Sequence, residues 1–358
     1  MINVTKTYLP PKEEYEKYLS EIWDSSWVTN NGPLLRRLED QLKEYFGVKH
    51  LLYTSNGTVV LQMALKALNI TGEVITTPFS YVATTSAVIW ENCTPVFADV
   101  CEDNCAIDPS KIEALITPRT QAILATHVYG IPCDTEAIDA IAKKHNLKVI
   151  YDAAHTFGTL YKGKHLVTYG DISTISFHAT KLFHTIEGGA IMTNDDNLAH
   201  QFRLLRSFGH ILDDYYIAGI NGKNSEFHAA MGLCLLPRVP DFIKRRKEIT
   251  ELYDSLLKPS GLRRPSIPKD GEFNYAYYPV FCSSESDLLK IKAALEKEQV
   301  FPRRYFYPTL NTLPYLKGES CPVSERLSPC ALCLPLFYEL STEDVHRIAG
   351  IVNQTLAG

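Results

Sequence analysis

Residues 122–154 read AILATHVYGIPCDTEAIDAIAKKHNLKVIYDAA, and this run sets the architecture. AILATHVYG and KVIYDAA are short apolar strands, and DTEAIDAIAKKHN between them is a helix. The pattern extends in both directions. Upstream, RRLEDQLKEYFG has apolar residues at helical spacing and stops at Gly47, HLLYT is a strand and VVLQMALKAL a helix. EVITTPFSY begins as a strand, PVFADV is another, and PSKIEALI is helical; downstream, ISTISF and GGAIMTN add two short strands. Apolar strands separated by helices predict an α/β fold, with a buried, mostly parallel sheet covered by helices on both faces. Pro237 and Pro240 mark a break, followed by the helix DFIKRRKEITELYDSLL. YAYYPVFC, SDLLKIKAALEKEQ and TEDVHRIAGIVNQTL then give a second mixture of strand and helix. The expected division is a large unit over 17–237 and a smaller C-terminal α/β unit over 238–358, with residues 1–16 packing on the latter.

Composition removes several function classes. The 358 residues carry 36 Lys+Arg against 41 Asp+Glu, a net charge of −5, with 45% hydrophobic and 22% charged residues. That is ordinary globular composition, enough for about two domains, with no basic footprint for nucleic acid. No apolar run reaches the roughly 18 residues of a membrane span, and the N-terminus has Pro and charges where a secretory core would stand. Nine scattered cysteines read as reduced thiols in a cytoplasmic protein. No G-x-G-x-x-G is present to support dinucleotide binding. Gly158-x4-Gly163-Lys164 resembles a phosphate loop, but His165 replaces the magnesium-binding hydroxyl and no helix follows, so a surface turn is expected. Cys330-x2-Cys333 lacks a second pair at matching spacing; it reads as core, and no metal site is expected.

Three short motifs carry chemistry. Ser55-Asn56-Gly57-Thr58, between a strand and a helix, offers backbone N–H groups to an anion such as phosphate, or equally a turn and helix cap. Asp152 ends a strand at the carboxyl edge of the sheet, where ligands bind in such folds; it suits a metal ligand, a pyridinium partner or a cap. Ser176-Phe177-His178-Ala179-Thr180-Lys181, with Glu187-Gly188-Gly189-Ala190 after it, places a lysine directly after a buried strand. Desolvation there would lower its pKa for Schiff-base chemistry; the alternative is a surface lysine.

In their order and spacing these motifs resemble the DegT/StrS-type nucleotide-sugar aminotransferases, a branch of the fold type I pyridoxal-phosphate (PLP) enzymes. The resemblance runs from Trp27-Val28-Thr29-Asn30-Asn31-Gly32-Pro33 to the CPVSERL and CLPLFYELSTEDV segments. WVTNNGP, DAAHTFG, SFHATKLFHTIEGG and RRYFYPTLNTL are most similar to the branch that makes dTDP-4-amino-4,6-dideoxyglucose. The resemblance implies that L-glutamate aminates a nucleotide-linked keto sugar, the cofactor alternating between PLP and pyridoxamine phosphate. Lys181 is then the Schiff-base lysine and general base, and Asp152 the partner of the pyridine nitrogen. His155, in place of the usual Gln, would contact the ring hydroxyl; Tyr81 would stack on the ring; Gly57, Thr58 and Ser176 would hold the phosphate. Asn221 would reach the phosphate from the neighbouring subunit, which implies a homodimer with shared sites. Thr29, Asn30, Lys223 and Tyr307 fall at substrate-facing positions. Lys223 stands where relatives carry Arg and lacks its bidentate fork, and Thr309-Leu310-Asn311 replaces the usual Pro-Leu-His. A 3-aminotransferase, or one using a GDP- or UDP-linked sugar, is the alternative; a non-catalytic regulator on the same scaffold would have no use for Lys181.

Overall fold

The computed structural model describes residues 1–258, 261–316 and 318–357. Its centre is a seven-stranded sheet in the order His50–Thr54, Gly189–Thr193, Ile172–Ser176, Lys148–Asp152, Thr120–Thr126, Glu73–Thr76, Thr94–Phe97. Gly189–Thr193 is antiparallel to both neighbours, and every other pairing is parallel. The expected mostly parallel α/β sheet is present. Six strands therefore end at the same edge, and the antiparallel one begins there.

Both sheet faces are dry, which explains strands without a polar side. Leu51 and Tyr53 enter one core with Phe46, Phe157 and Phe183, while the intervening Leu52 enters another with Val60, Leu65 and Phe202. The Pro33–Phe46 helix buries Leu34, Leu35, Leu38, Leu42 and Phe46, and ends on Gly47 at φ 65°, a backbone setting that glycine adopts without steric cost. Asp134 caps the Thr135–His145 helix by accepting from Ala137 N. The helix over 59–68 starts two residues early, at Gly57, because Asn56 is its cap; the helix after the proline break starts at Val239, with Pro240 in its first turn.

The C-terminal region forms a three-stranded antiparallel sheet of Leu262–Arg263, Tyr278–Cys282 and Ala331–Leu334. Val239–Leu256, Glu285–Lys297 and Thr342–Ala357 pack around it through Ile249, Leu288, Ile291 and Ile348. The amino terminus joins this region: Ile2–Asn3 pairs with Val300–Phe301, and Leu336 N donates to Val4 O.

The phosphate-loop look-alike is a β-hairpin. Leu160–Tyr161 and Lys164–His165 pair antiparallel across Lys162 at φ 50° and Gly163 at φ 74°, the two positive φ values that a tight hairpin turn takes. Cys333 is buried in a strand and Cys330 half-buried before it; all nine cysteines are free thiols. Among the described residues, no group of three or more His, Cys, Asp or Glu side chains could hold a metal, and no helix is long and apolar enough to cross a membrane.

Candidate active site

A cavity of about 280 Å³ opens at the carboxyl edge of the sheet. Its floor is built from strand ends: Asp152 closes Lys148–Asp152, Ser176 closes Ile172–Ser176, and Lys181 follows in the loop. The turn after His50–Thr54 brings Asn56, Gly57 and Thr58 to the same wall.

Asp152 is buried. Its Oδ2 accepts from Thr84 Oγ1 at 2.8 Å and its Oδ1 from Ala154 N at 3.1 Å, and Thr84 lies 2.8 Å from Ser80 Oγ. Burial nonetheless pushes its pKa up, against the hydrogen bonds and the Lys181 charge. A buried carboxylate that its neighbours leave short of positive charge is suited to a cationic ring nitrogen.

Burial also pushes the Lys181 ammonium down to about 8, although Asp152 and Tyr81 pull the other way. Desolvation outweighs attraction here, so a usable fraction of the amine is neutral near physiological pH. His155 is buried and accepts from Tyr129 N at its Nδ1, 3.1 Å away. Burial, then the Lys181 charge, drive its pKa down, so the ring is neutral with its proton on Nε2, a hydrogen-bond donor. Phe306 stacks on it at 5.6 Å and 6°.

The SNGT turn realises both of its readings. Asn56 Oδ1 accepts from Thr58 N at 3.0 Å and Val59 N at 2.9 Å, so the side chain caps the helix. What remains for an anion is Gly57 N–H together with the Thr58 and Ser176 hydroxyls. A Cβ at Gly57 would lie 2.8 Å from Ser176 Cβ, and one at Gly189 would lie 2.7 Å from the Asn56 carbonyl. These two glycines let the helix start press against the strand ends.

Seven of the residues singled out in the sequence thus line one cavity: Gly57, Thr58, Tyr81, Asp152, His155, Ser176 and Lys181. Tyr81 sits at its mouth, 58% exposed. Thr29, Asn30, Asn221, Lys223 and Tyr307 do not line it. Asn30 is exposed at φ 60°, and Asn221 is exposed and bridged to Ser207. Lys223 Nζ lies 4.8 Å from the Phe208 ring centroid, and Tyr307 lies under the Arg304 guanidinium at 3.5 Å. Asn311, in the departing Thr-Leu-Asn segment, is buried, donating to Glu319 O and Glu325 Oε1 at 3.0 and 2.8 Å; its amide serves packing. Tyr277, Arg303, Tyr305 and Phe306, from the C-terminal region, also line the cavity; the last three lie in the RRYFYPTLNTL segment of the resemblance, but no sequence pattern assigned any of the four a role.

A parallel sheet with a desolvated lysine, an undercompensated carboxylate and a glycine-relieved anion cradle at its carboxyl edge defines a PLP-dependent enzyme of fold type I. The DegT/DnrJ/EryC1/StrS aminotransferase family matches residues 11–353, and the chain belongs to that family. It is 41% identical to a dTDP-4-amino-4,6-dideoxy-D-glucose transaminase of Shigella dysenteriae, over 99% of this chain and 98% of the relative. It is 34% identical to the GDP-perosamine synthase of Escherichia coli O157:H7, over 97% of each chain. The structure of DesI, solved in the presence of its TDP-sugar product, superposes with a TM-score of 0.95 at 32% identity, covering 99% of this chain and 93% of that one. The cofactor is pyridoxal phosphate.

Proposed function

We propose that this enzyme transfers the amino group of L-glutamate to C4 of dTDP-4-keto-6-deoxy-D-glucose, giving 2-oxoglutarate and dTDP-4-amino-4,6-dideoxy-D-glucose. The observation that carries the chemistry is the meeting of Lys181 and Asp152 in one desolvated cavity. The 41% identity to the Shigella transaminase along nearly the whole chain supports the substrate.

When bound, the cofactor supplies an electron sink for the carbon that loses its proton. The residues around it have distinct tasks. Lys181 holds the cofactor and, once displaced by the amino donor, takes the proton from the donor Cα; in the second half it delivers a proton to sugar C4. Proton transfer by a positioned group of this kind is worth about 10²–10⁴-fold. Asp152 would keep the ring nitrogen protonated, and His155 would offer its Nε2 proton to the ring hydroxyl. Gly57 N–H, Thr58 and Ser176 would hold the phosphate, and Tyr81, at the mouth, would cover the ring. Arg303 lines the cavity without a carboxylate partner among the described residues, and it is suited to a substrate anion.

The rim completes the site in a homodimer. Large apolar side chains are exposed at Trp23, Trp27, Phe208, Leu212, Tyr215 and Tyr216, and a second copy would cover them. Asn221, Lys223, Thr29, Asn30 and Tyr307 would then serve the partner's cavity or the substrate at the shared mouth.

The test is to load the protein with PLP, add L-glutamate, and then add the sugar. Loss of the visible band with glutamate and its return with dTDP-4-keto-6-deoxyglucose are expected. Return with the GDP-linked 4-keto sugar alone would move the assignment to the second reading, which the GDP-perosamine synthase similarity favours. Persistence of the band in glutamate would remove glutamate as the donor.

A further inference from the structure

Lys181 Nζ donates to the hydroxyl of Tyr277 at 3.3 Å. We propose that Tyr277 is a positioning residue for Lys181: its hydroxyl holds the lysine amine at the cavity floor whenever that amine is not bonded to the cofactor. The inference rests on the reading of Lys181 as the lysine that carries the cofactor and moves the proton.

Tyr277 is built to stay where it is. It is 8% exposed, with its ring edge-on to His155 at 5.0 Å and to Tyr305 at 5.8 Å. Its backbone is fixed from two directions. The buried Arg246 donates through Nη1 to Ala276 O at 3.1 Å and to Leu336 O at 3.0 Å. Asn274 accepts from Ala276 N at 3.1 Å, while its Nδ2 donates to His155 O and Phe157 O at 2.8 and 3.0 Å. The segment 274–277 thus joins the C-terminal region to the strand-end loop that carries His155. Among the described residues, Lys181 is the only hydrogen-bond partner of the Tyr277 hydroxyl.

The physical need is clear from the lysine itself. Its four-carbon stem carries about 2 kcal/mol of rotamer entropy, so an amine released between the two halves of a transfer would leave the reacting carbon. Asp152, His155, Tyr81, His178, Glu187 and Arg303 also face the cavity, but none of them is hydrogen-bonded to the amine. Burial raises the Tyr277 pKa, keeping the phenol neutral. It accepts from the ammonium in a charge-assisted bond and donates to the free amine in a weaker neutral one, so it holds Lys181 in both protonation states and favours the charged one.

Tyr277→Phe removes the hydroxyl and keeps the ring. In cofactor-free protein, acetic anhydride labelling of Lys181 is followed against pH by peptide mass mapping. Wild-type labelling is expected to turn on near pH 8, the level to which burial brings the amine. In Tyr277→Phe the midpoint falls by about one unit, because the ammonium loses a hydrogen-bond acceptor. In the PLP-loaded protein, the glutamate half-reaction slows about tenfold with KM unchanged, the rate equivalent of the same free energy. Equal midpoints in the two proteins would overturn the proposal. Should Tyr277→Phe not fold, Tyr277→Met, similar in length and without the hydroxyl, carries the same comparison. The labelling needs neither cofactor nor substrate. A shifted midpoint in a protein that no amino donor bleaches would condemn the aminotransferase reading alone; an unshifted midpoint in a protein bleached by glutamate would condemn Tyr277 alone.

Discussion

Asp152, His155, Ser176 and Lys181 stand on or just after the ends of neighbouring parallel strands, and each is fixed by hydrogen bonds or packing within one chain. Thr29, Asn30, Asn221, Lys223 and Tyr307 stand on loops outside the cavity, three of them exposed. The floor therefore has its geometry in a single folded chain, whereas in the proposed homodimer the rim would acquire one from the second subunit or the substrate. The groups whose pKa values burial shifts, Asp152, His155 and Lys181, all lie in the first region, and the proposed reading gives the second to recognition. The division predicts that floor variants fail in every assembly, and that rim variants fail only when no intact partner is present.

The largest effect is expected from Lys181→Ala. Turnover should fall by about 10⁴-fold, the upper end of what a positioned proton carrier supplies, while PLP still binds without a covalent link; normal turnover would place the chemistry elsewhere. Asp152→Asn should cost about 10²–10³-fold in the glutamate half-reaction, as when one preorganised electrostatic group is lost, without lowering the melting temperature. An unchanged rate would separate Asp152 from the ring nitrogen.

Gly57→Ala puts a methyl 2.8 Å from Ser176 Cβ and should weaken PLP binding by about 1–3 kcal/mol, read as a rise in the PLP dissociation constant. Asn221→Ala should be deficient on its own, yet regain activity when mixed with Lys181→Ala under conditions that exchange subunits. The hybrid has one site with both an intact floor and an intact rim. No recovery on mixing would break the comparison between floor and rim.

The smallest effect is on stability. The folded-state pKa of Lys181 is lowered to about 8, below its unfolded value of about 10.4. Between these values the unfolded chain binds more protons, so stability rises with pH. Cofactor-free wild type should therefore melt below Lys181→Met at neutral pH, and the gap should narrow from about pH 8 to 10.

What was legible in the sequence follows the same line. Strands such as KVIYD, with four of five residues buried, are readable because helices cover both sheet faces and leave no polar alternation. Lysine and carboxylate were legible because the fold puts strand ends where ligands bind. The Ala83–Trp90 helix was not anticipated, since it is short and its ATTSAVIW sequence lacks an amphipathic period. Tyr277 was invisible because a distant segment folds back onto the sheet edge and no local pattern in NYAYYPV announces that return; RRYFYP carried the family resemblance, but nothing in it distinguished Arg303, which lines the cavity, from Tyr307, which does not. Asn56 shows a motif whose two readings divide among its atoms, the side chain capping the helix while the neighbouring Gly57 N–H stays available.

The most direct test of the central claim is borohydride reduction of the PLP-loaded protein followed by peptide mass mapping. A pyridoxyl mass on the peptide containing Lys181, absent from Lys181→Ala, is the predicted result. Label on another lysine, or none with PLP in excess, would contradict the assignment of Lys181 and the active site built around it.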